Sequence, residues 1–118
     1  MTIRFVVSGQ PVPKQRPCLG GRGQVYTPPK TVQWEQQVGW QCRIAMSHTD
    51  PIDGDVSITM CFYRSGRRKV DLDNLVKSVS DGLNGVAYLD DNQVVELHAY
   101  LFKGQDNPRV EVVITRVE

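Results

Sequence analysis

Asp71-Leu72-Asp73-Asn74-Leu75-Val76-Lys77-Ser78-Val79-Ser80-Asp81-Gly82-Leu83-Asn84-Gly85 is the stretch on which the reading of this 118-residue chain turns. Leu72, Leu75, Val76, Val79 and Leu83 recur at helical spacing, which predicts a helix with one apolar face beginning near Asp73. A short carboxylate at Asp71 or Asp73 suits its first turn, whose free amides need acceptors. Asn84-Gly85 supplies the stop. Just upstream, Val56, Ile58, Met60 and Phe62 alternate with Ser57, Thr59 and Cys61, which predicts a strand over 55–63. Just downstream, Val86-Ala87-Tyr88-Leu89 leads to Asp90-Asp91-Asn92 and then to strands over about 93–102 and 109–117. Gly104 and Asp106-Asn107-Pro108 turn the chain between those two strands, so an antiparallel hairpin is expected.

The N-terminal half completes the order. Ile3, Phe5 and Val7 alternate as a strand, which Gly9, Pro11 and Pro13 end. Residues 14–29 read as a long Gly-rich, basic connection. Pro28-Pro29 ends it and suits the opening of a helix, and from about Thr31 to Ser47 the spacing is helical, with Trp34, Val38, Cys42, Ala45 and Met46 on its apolar stripe. Trp34 reads as core; Trp40 falls off the stripe, at the surface or a dimer contact. The expected architecture is a single α+β domain over 1–118, ordered β-α-β-α-β-β, with helices packed on a mixed or antiparallel sheet.

Composition excludes several classes. No apolar run approaches the length needed to span a bilayer, and residues 1–7 lack the core of a signal peptide, so a cytoplasmic protein with no membrane role is expected. Three scattered cysteines, Cys18, Cys42 and Cys61, form neither a disulfide framework nor a zinc cluster; Cys42 and Cys61 read as small core residues. The net charge of +1 hides an asymmetry. Residues 1–69 hold ten Lys and Arg against four Asp and Glu, and residues 70–118 hold four against nine. That predicts a cationic surface beside an acidic site.

Hard divalent cations want oxygen ligands, and two or three carboxylates from two loops, leaving room for water or phosphate, are the usual Mg²⁺ arrangement. Asp71 and Asp73 supply one pair, and Asp90-Asp91 returns another after the helix. Asp73, Lys77 and Asp81 share a helix face, so Lys77 projects one turn beyond Asp73, placed to stabilise charge on a phosphate. The plainer role for these residues is capping plus an Asp–Lys surface pair of about 0.3–0.5 kcal/mol. Arg67, Arg68 and Lys69 immediately before Asp71 tip the balance, because cations that neutralise phosphates beside carboxylates that hold an ion suit a polyanionic substrate. His48 and His98 are isolated and take no role.

The run R-R-K-V-D-L-D-N-L-V-K over 67–77, followed by L-D-D-N-Q-V-V-E over 89–96, resembles the RusA family of Holliday junction resolvases. The segment G-Q-P-V-P-K-Q-R-P over 9–17 is similar to the N-terminal loop of phage and Gram-positive members. The resemblance covers nearly the whole chain and leans towards phage or prophage origin. It implies a homodimeric endonuclease that uses Mg²⁺, with Mn²⁺ as a substitute and no organic cofactor, to nick opposed strands of a four-way DNA junction in recombination and repair. By motif position it assigns Asp71, Asp73, Asp91 and Lys77 to catalysis. Asp71, Asp73 and Asp91 would hold the metal, with Asp90 assisting and Glu96 as a weaker candidate. Lys14, Arg16, Arg22, Arg67, Arg68 and Lys69 would bind DNA. The rival readings are a nucleic-acid-binding module without activity, a nuclease for flaps or forks, and a D-x-D glycosyltransferase. The last has little room in so short a chain without a parallel nucleotide-binding pattern.

Overall fold

Val56, Ile58, Met60 and Phe62 are all buried on one side of their strand, while Ser57, Thr59, Cys61 and Tyr63 are partly exposed on the other. This alternation sets the layers: the helices cover the first side. The computed structural model describes residues 1–15, 18–21, 23–26 and 28–118. The elements are β1 (Thr2–Ser8), β2 (Cys18–Leu19), β3 (Val25–Tyr26), α1 (Pro29–Ala45), β4 (Val56–Tyr63), α2 (Leu72–Leu83), a 3-10 turn (Asp91–Gln93), β5 (Val94–Phe102) and β6 (Arg109–Arg116). The single α+β domain is as expected, with two helices on a four-stranded mixed sheet of order β1-β6-β4-β5.

Two expectations need correction. The stretch read as a bare connection carries a small antiparallel ribbon, β2 with β3. The final two strands do not form a hairpin: β6 lies between β1 and β4, antiparallel to both, and β5 pairs with β4 in parallel. A parallel neighbour needs a crossover, and α2 provides it. β4-α2-β5 is therefore the unit that carries the acidic motifs. The turn signals before β6 mark a reversal, but the connection steps past β4 before β6 enters the sheet.

Leu75, Val79 and Leu83 of α2 and Trp34, Val38 and Cys42 of α1 join the buried residues of β1, β4 and β6 in one core. Each such side chain contributes about 1.5–3 kcal/mol by burial. Cys42 is the core thiol expected, whereas Cys61 sits half-buried on the open face of the sheet. The helices meet backbone to backbone at Gly39 and Gly82. A Cβ on Gly82 would come within 2.7 Å of the Glu35 carbonyl, and one on Gly39 within 3.0 Å of the Gly82 carbonyl. Only glycine permits this approach, which fixes how α2 lies against α1.

Candidate active site

Asp71 takes the N-cap position of α2, but its side chain makes no capping hydrogen bond. Among the described residues its one side-chain hydrogen bond is a long 3.5 Å bond accepted from Asn74 Nδ2. Asp73 stands exposed in the first turn. The plain role of a helix cap is therefore not what holds these carboxylates. Lys77, one turn on, is exposed and reaches Asp81 at 4.0 Å.

The second acidic pair is built differently. Tyr88 is fully buried, and burial pushes its phenol up to about 12, so it acts as an apolar plug below Leu89-Asp90-Asp91. Gln93 pins the turn above it. Its Oε1 accepts from the Leu89 and Asp90 amides at 2.8 and 3.0 Å, and its Nε2 donates to the Ile52 and Gly54 carbonyls at 2.8 Å. Asp90 accepts from the Asn92 amide and closes a capping box with Gln93. Asp91 is left exposed. A side-chain hydrogen bond between Asp90 and Asp91, together with their like charge, holds Asp91 above the usual carboxylate range; the same hydrogen bond holds Asp90 below it. Lys77 and Asp81 are the other charges that Asp91 feels.

The Asp90-Asp91 turn thus comes back beside the Lys77–Asp81 part of α2, with Asp71 and Asp73 further towards its start. Among the described residues no three His, Cys, Asp or Glu side chains gather closely enough to hold an ion by themselves. The donor chemistry nevertheless fits a hard cation. Mg²⁺ takes one or two carboxylates and fills its remaining positions with water and substrate phosphate.

Glu96 does not belong to this set. It pairs in register with Ser57, on the sheet face turned away from α2. There it accepts from Ser57 Oγ at 2.8 Å and meets His98 Nε2 at 3.1 Å. Its pKa is lowered, first by the Ser57 hydrogen bond and then by His98.

The cationic residues divide. Arg67, Arg68 and Lys69 are exposed on the loop before Asp71, as read from the sequence. Lys14 is committed elsewhere: its ammonium lies 2.7 Å from Glu35 and 3.0 Å from Asp81, so it ties the N-terminal loop to both helices rather than standing free for a phosphate. Arg16 and Arg22 lie outside the described residues. The loops around the site are held by residues that the motif reading passed over. Ser78 Oγ donates to the Val12 carbonyl at 2.7 Å, and the Lys14 amide donates to the Asn74 carbonyl at 2.8 Å. Gln10 brackets Ser65, accepting from its amide at 3.0 Å and donating to its carbonyl at 3.3 Å. The D-x-x-Q spacing of Asp90 and Gln93 was a readable signal for the pinned turn. A glutamine that clamps a loop 55 residues away leaves none.

Exposed carboxylates and a lysine on one crossover unit, next to a cationic loop, are the parts of a protein that works on phosphodiesters. The class is nuclease, and comparison with known proteins makes it specific. The family model described as Endodeoxyribonuclease RusA matches residues 8–115, so the chain belongs to that endodeoxyribonuclease family. Crossover junction endodeoxyribonuclease RusA of Aquifex aeolicus (strain VF5) is 29% identical over 114 residues, covering 93% of this chain and 90% of that protein. Uncharacterized protein YqaN of Bacillus subtilis (strain 168) is 33% identical over 141 residues, covering 98% of this chain and 96% of that protein. No helix is long and apolar enough to cross a membrane among the described residues.

Proposed function

We propose that this protein resolves four-way DNA junctions by paired nicks, as a Mg²⁺-dependent homodimer in recombination and repair. The observation that carries the reading is the pair Asp71 and Asp73, two exposed carboxylates that do no capping work, set between a cationic loop and Lys77. The junction as substrate is supported by the family and by the name of the Aquifex relative.

Asp71, Asp73 and Asp91 are the residues that would hold the ion, with Asp90 orienting Asp91. A divalent ion held there would supply Lewis acidity towards the phosphate and the attacking water. Arg67, Arg68 and Lys69 hold the flanking phosphates. Lys77 stabilises the negative charge that grows on the phosphoryl oxygens. Water adds to phosphorus, the bond to the 3′ oxygen breaks, and the products are a 5′-phosphate and a 3′-hydroxyl. A second copy of the chain suits a substrate that has approximate two-fold symmetry. The outer edge of β5 supports the pairing of two copies, because among the described residues it has no neighbour in the sheet, and β5 exposes Val95, Leu97, Tyr100 and Phe102.

The test is cleavage of a synthetic four-way junction with Mg²⁺, with Mn²⁺ and with EDTA, beside a flap, a fork and a linear duplex. Symmetric nicks in the junction with either metal are expected. Equal cleavage in EDTA, or preference for another substrate, would sink the proposal.

A further inference from the structure

A cleft of about 280 Å³ lies between the N-terminal loop, the first turn of α1 and the loop after β4. Four cations line it, Lys30, Arg64, Arg68 and Lys69, together with Gln10 and Gln15; among the described residues no carboxylate does. Concentrating positive charge in a concave site is costly unless an anion enters it. Arg64, which lines the cleft, has its Nε buried and without a hydrogen-bond partner among the described residues. Burial, with Arg68 next to it, lowers the Arg64 pKa.

The walls are preset. The Arg64 backbone is fixed on both sides, its amide donating to the Phe102 carbonyl at 2.9 Å and its carbonyl accepting from Gln105 at 3.0 Å. The Gln10 bracket on Ser65 closes the opposite wall. An adjoining hollow of about 220 Å³ shares Gln10, Val12 and Lys30 with the cleft and is lined by Trp34. Trp34 is 4% exposed, and its indole Nε1 is another buried donor without a partner among the described residues.

We propose that this cleft binds one phosphate of the DNA backbone, held by Arg64, Arg68, Lys69 and Lys30. The proposal rests on the nuclease reading and adds to it a seat for one particular phosphate. Arg64 and Lys30 lie outside the R-R-K run and enter the site only through the fold. A guanidinium with a planar fork suits a phosphate's oxygens, and the ammoniums add charge from the sides.

Binding of a labelled four-way junction in EDTA, followed by fluorescence anisotropy across a salt series, tests the cleft apart from chemistry. The double variant Arg64→Gln with Lys30→Gln is expected to weaken binding several-fold and to lower the slope of log K against log salt by about one, the value for one phosphate. Arg4→Gln, on the face of the sheet away from the helices, is the control and keeps the wild-type slope. Wild-type affinity and slope in the double variant overturn the proposal. Lys30 is exposed in the first turn of α1. Lys30→Gln alone therefore decides the matter if Arg64→Gln does not fold: weaker junction binding supports the cleft, and wild-type binding overturns it. Inorganic phosphate as a second probe is expected to shift the amide signals of Gln10, Val12, Lys30 and residues 64–70 in the wild type and not in the double variant. Such shifts combined with unchanged DNA binding reveal a free-anion site and overturn the assignment to DNA. A wild type that binds through this cleft but does not cleave with Mg²⁺ overturns the nuclease reading alone.

Discussion

Lys14 and Asp81 meet at 3.0 Å, and this contact joins the N-terminal loop to the helix that carries Asp73 and Lys77. Burial pulls the Lys14 pKa down, but hydrogen bonds and charge from Glu35 and Asp81 more than offset it and hold the ammonium above its ordinary value. A raised folded pKa means that the stabilisation is complete below the ordinary lysine pKa and is lost as pH rises through the higher folded value. Lys14→Gln is expected to cost about 1–2 kcal/mol at neutral pH, since it strands two partly exposed carboxylates. The salt slope of DNA binding should not change. Denaturant unfolding and anisotropy read the two effects separately, and a fall in slope by about one would restore Lys14 as a phosphate contact.

Asp73→Asn keeps the size and shape of the side chain and removes one negative charge. Junction binding in EDTA should remain within a few-fold of the wild type, while cleavage in Mg²⁺ falls by about 10³ or more, the scale on which one metal ligand or charge-stabilising group acts. Single-turnover cleavage checks it. Full activity would remove Asp73 from the site.

Asp90→Asn isolates the pull of Asp90 on its neighbour. Asn caps as well as Asp, so the turn should persist. Without the shared proton and the like charge, the midpoint of Asp91 drops towards the ordinary carboxylate range. A metal ligand must be ionised. The acid limb of the cleavage–pH profile should therefore move to lower pH, together with the Asp91 carboxyl signal in an NMR titration. An unmoved Asp91 midpoint would show that the two side chains do not share a proton.

Gln93→Ala removes four hydrogen bonds that hold the Asp90-Asp91 turn to residues 52 and 54. At about 0.5–1.5 kcal/mol each, partly replaced by water, a loss of about 2–3 kcal/mol is expected. Faster amide exchange at residues 89–92 and a larger fall in kcat than in junction affinity should accompany it.

Much of this was readable from the sequence, for identifiable reasons. The period-2 pattern of 56–62 and the 3.6 period of 72–83 each report burial on one face, so β4 and α2 fell where expected. Strand β5 has no such pattern. Its helix-side residues are only partly covered and its other face is open, which puts Leu97, Tyr100 and Phe102 at the surface. With no alternation to fix a partner, the turn residues before β6 suggested a hairpin. Turn chemistry specifies a reversal and not which strand lies alongside. In the same way, Asp71 and Asp73 were legible as ligand types, whereas the commitment of Lys14 to Glu35 and Asp81 depended on packing between segments far apart in the chain.

Gly82→Ala tests the crossing of the helices. The gain in helix propensity, up to about 1 kcal/mol, is outweighed by collision of the new methyl with the Glu35 backbone and Val38. A net loss of about 1–2 kcal/mol, and a Tm lower by several degrees, is expected in thermal unfolding. An unchanged Tm would mean that α1 and α2 slide apart without cost.

The place of β6 in the sheet bears on how the protein is made. The strand that bonds to both β1 and β4 follows the other described strands in the sequence and so leaves the ribosome after them. Until residues 109–116 emerge, β1 lacks its partner among the described strands, and the apolar sides of β1 and β4 cannot close over a common core. Nascent chains therefore carry unsealed strand edges until β6 has been made. A frameshift or nick that removes β6 would leave an aggregation-prone fragment rather than a smaller working enzyme.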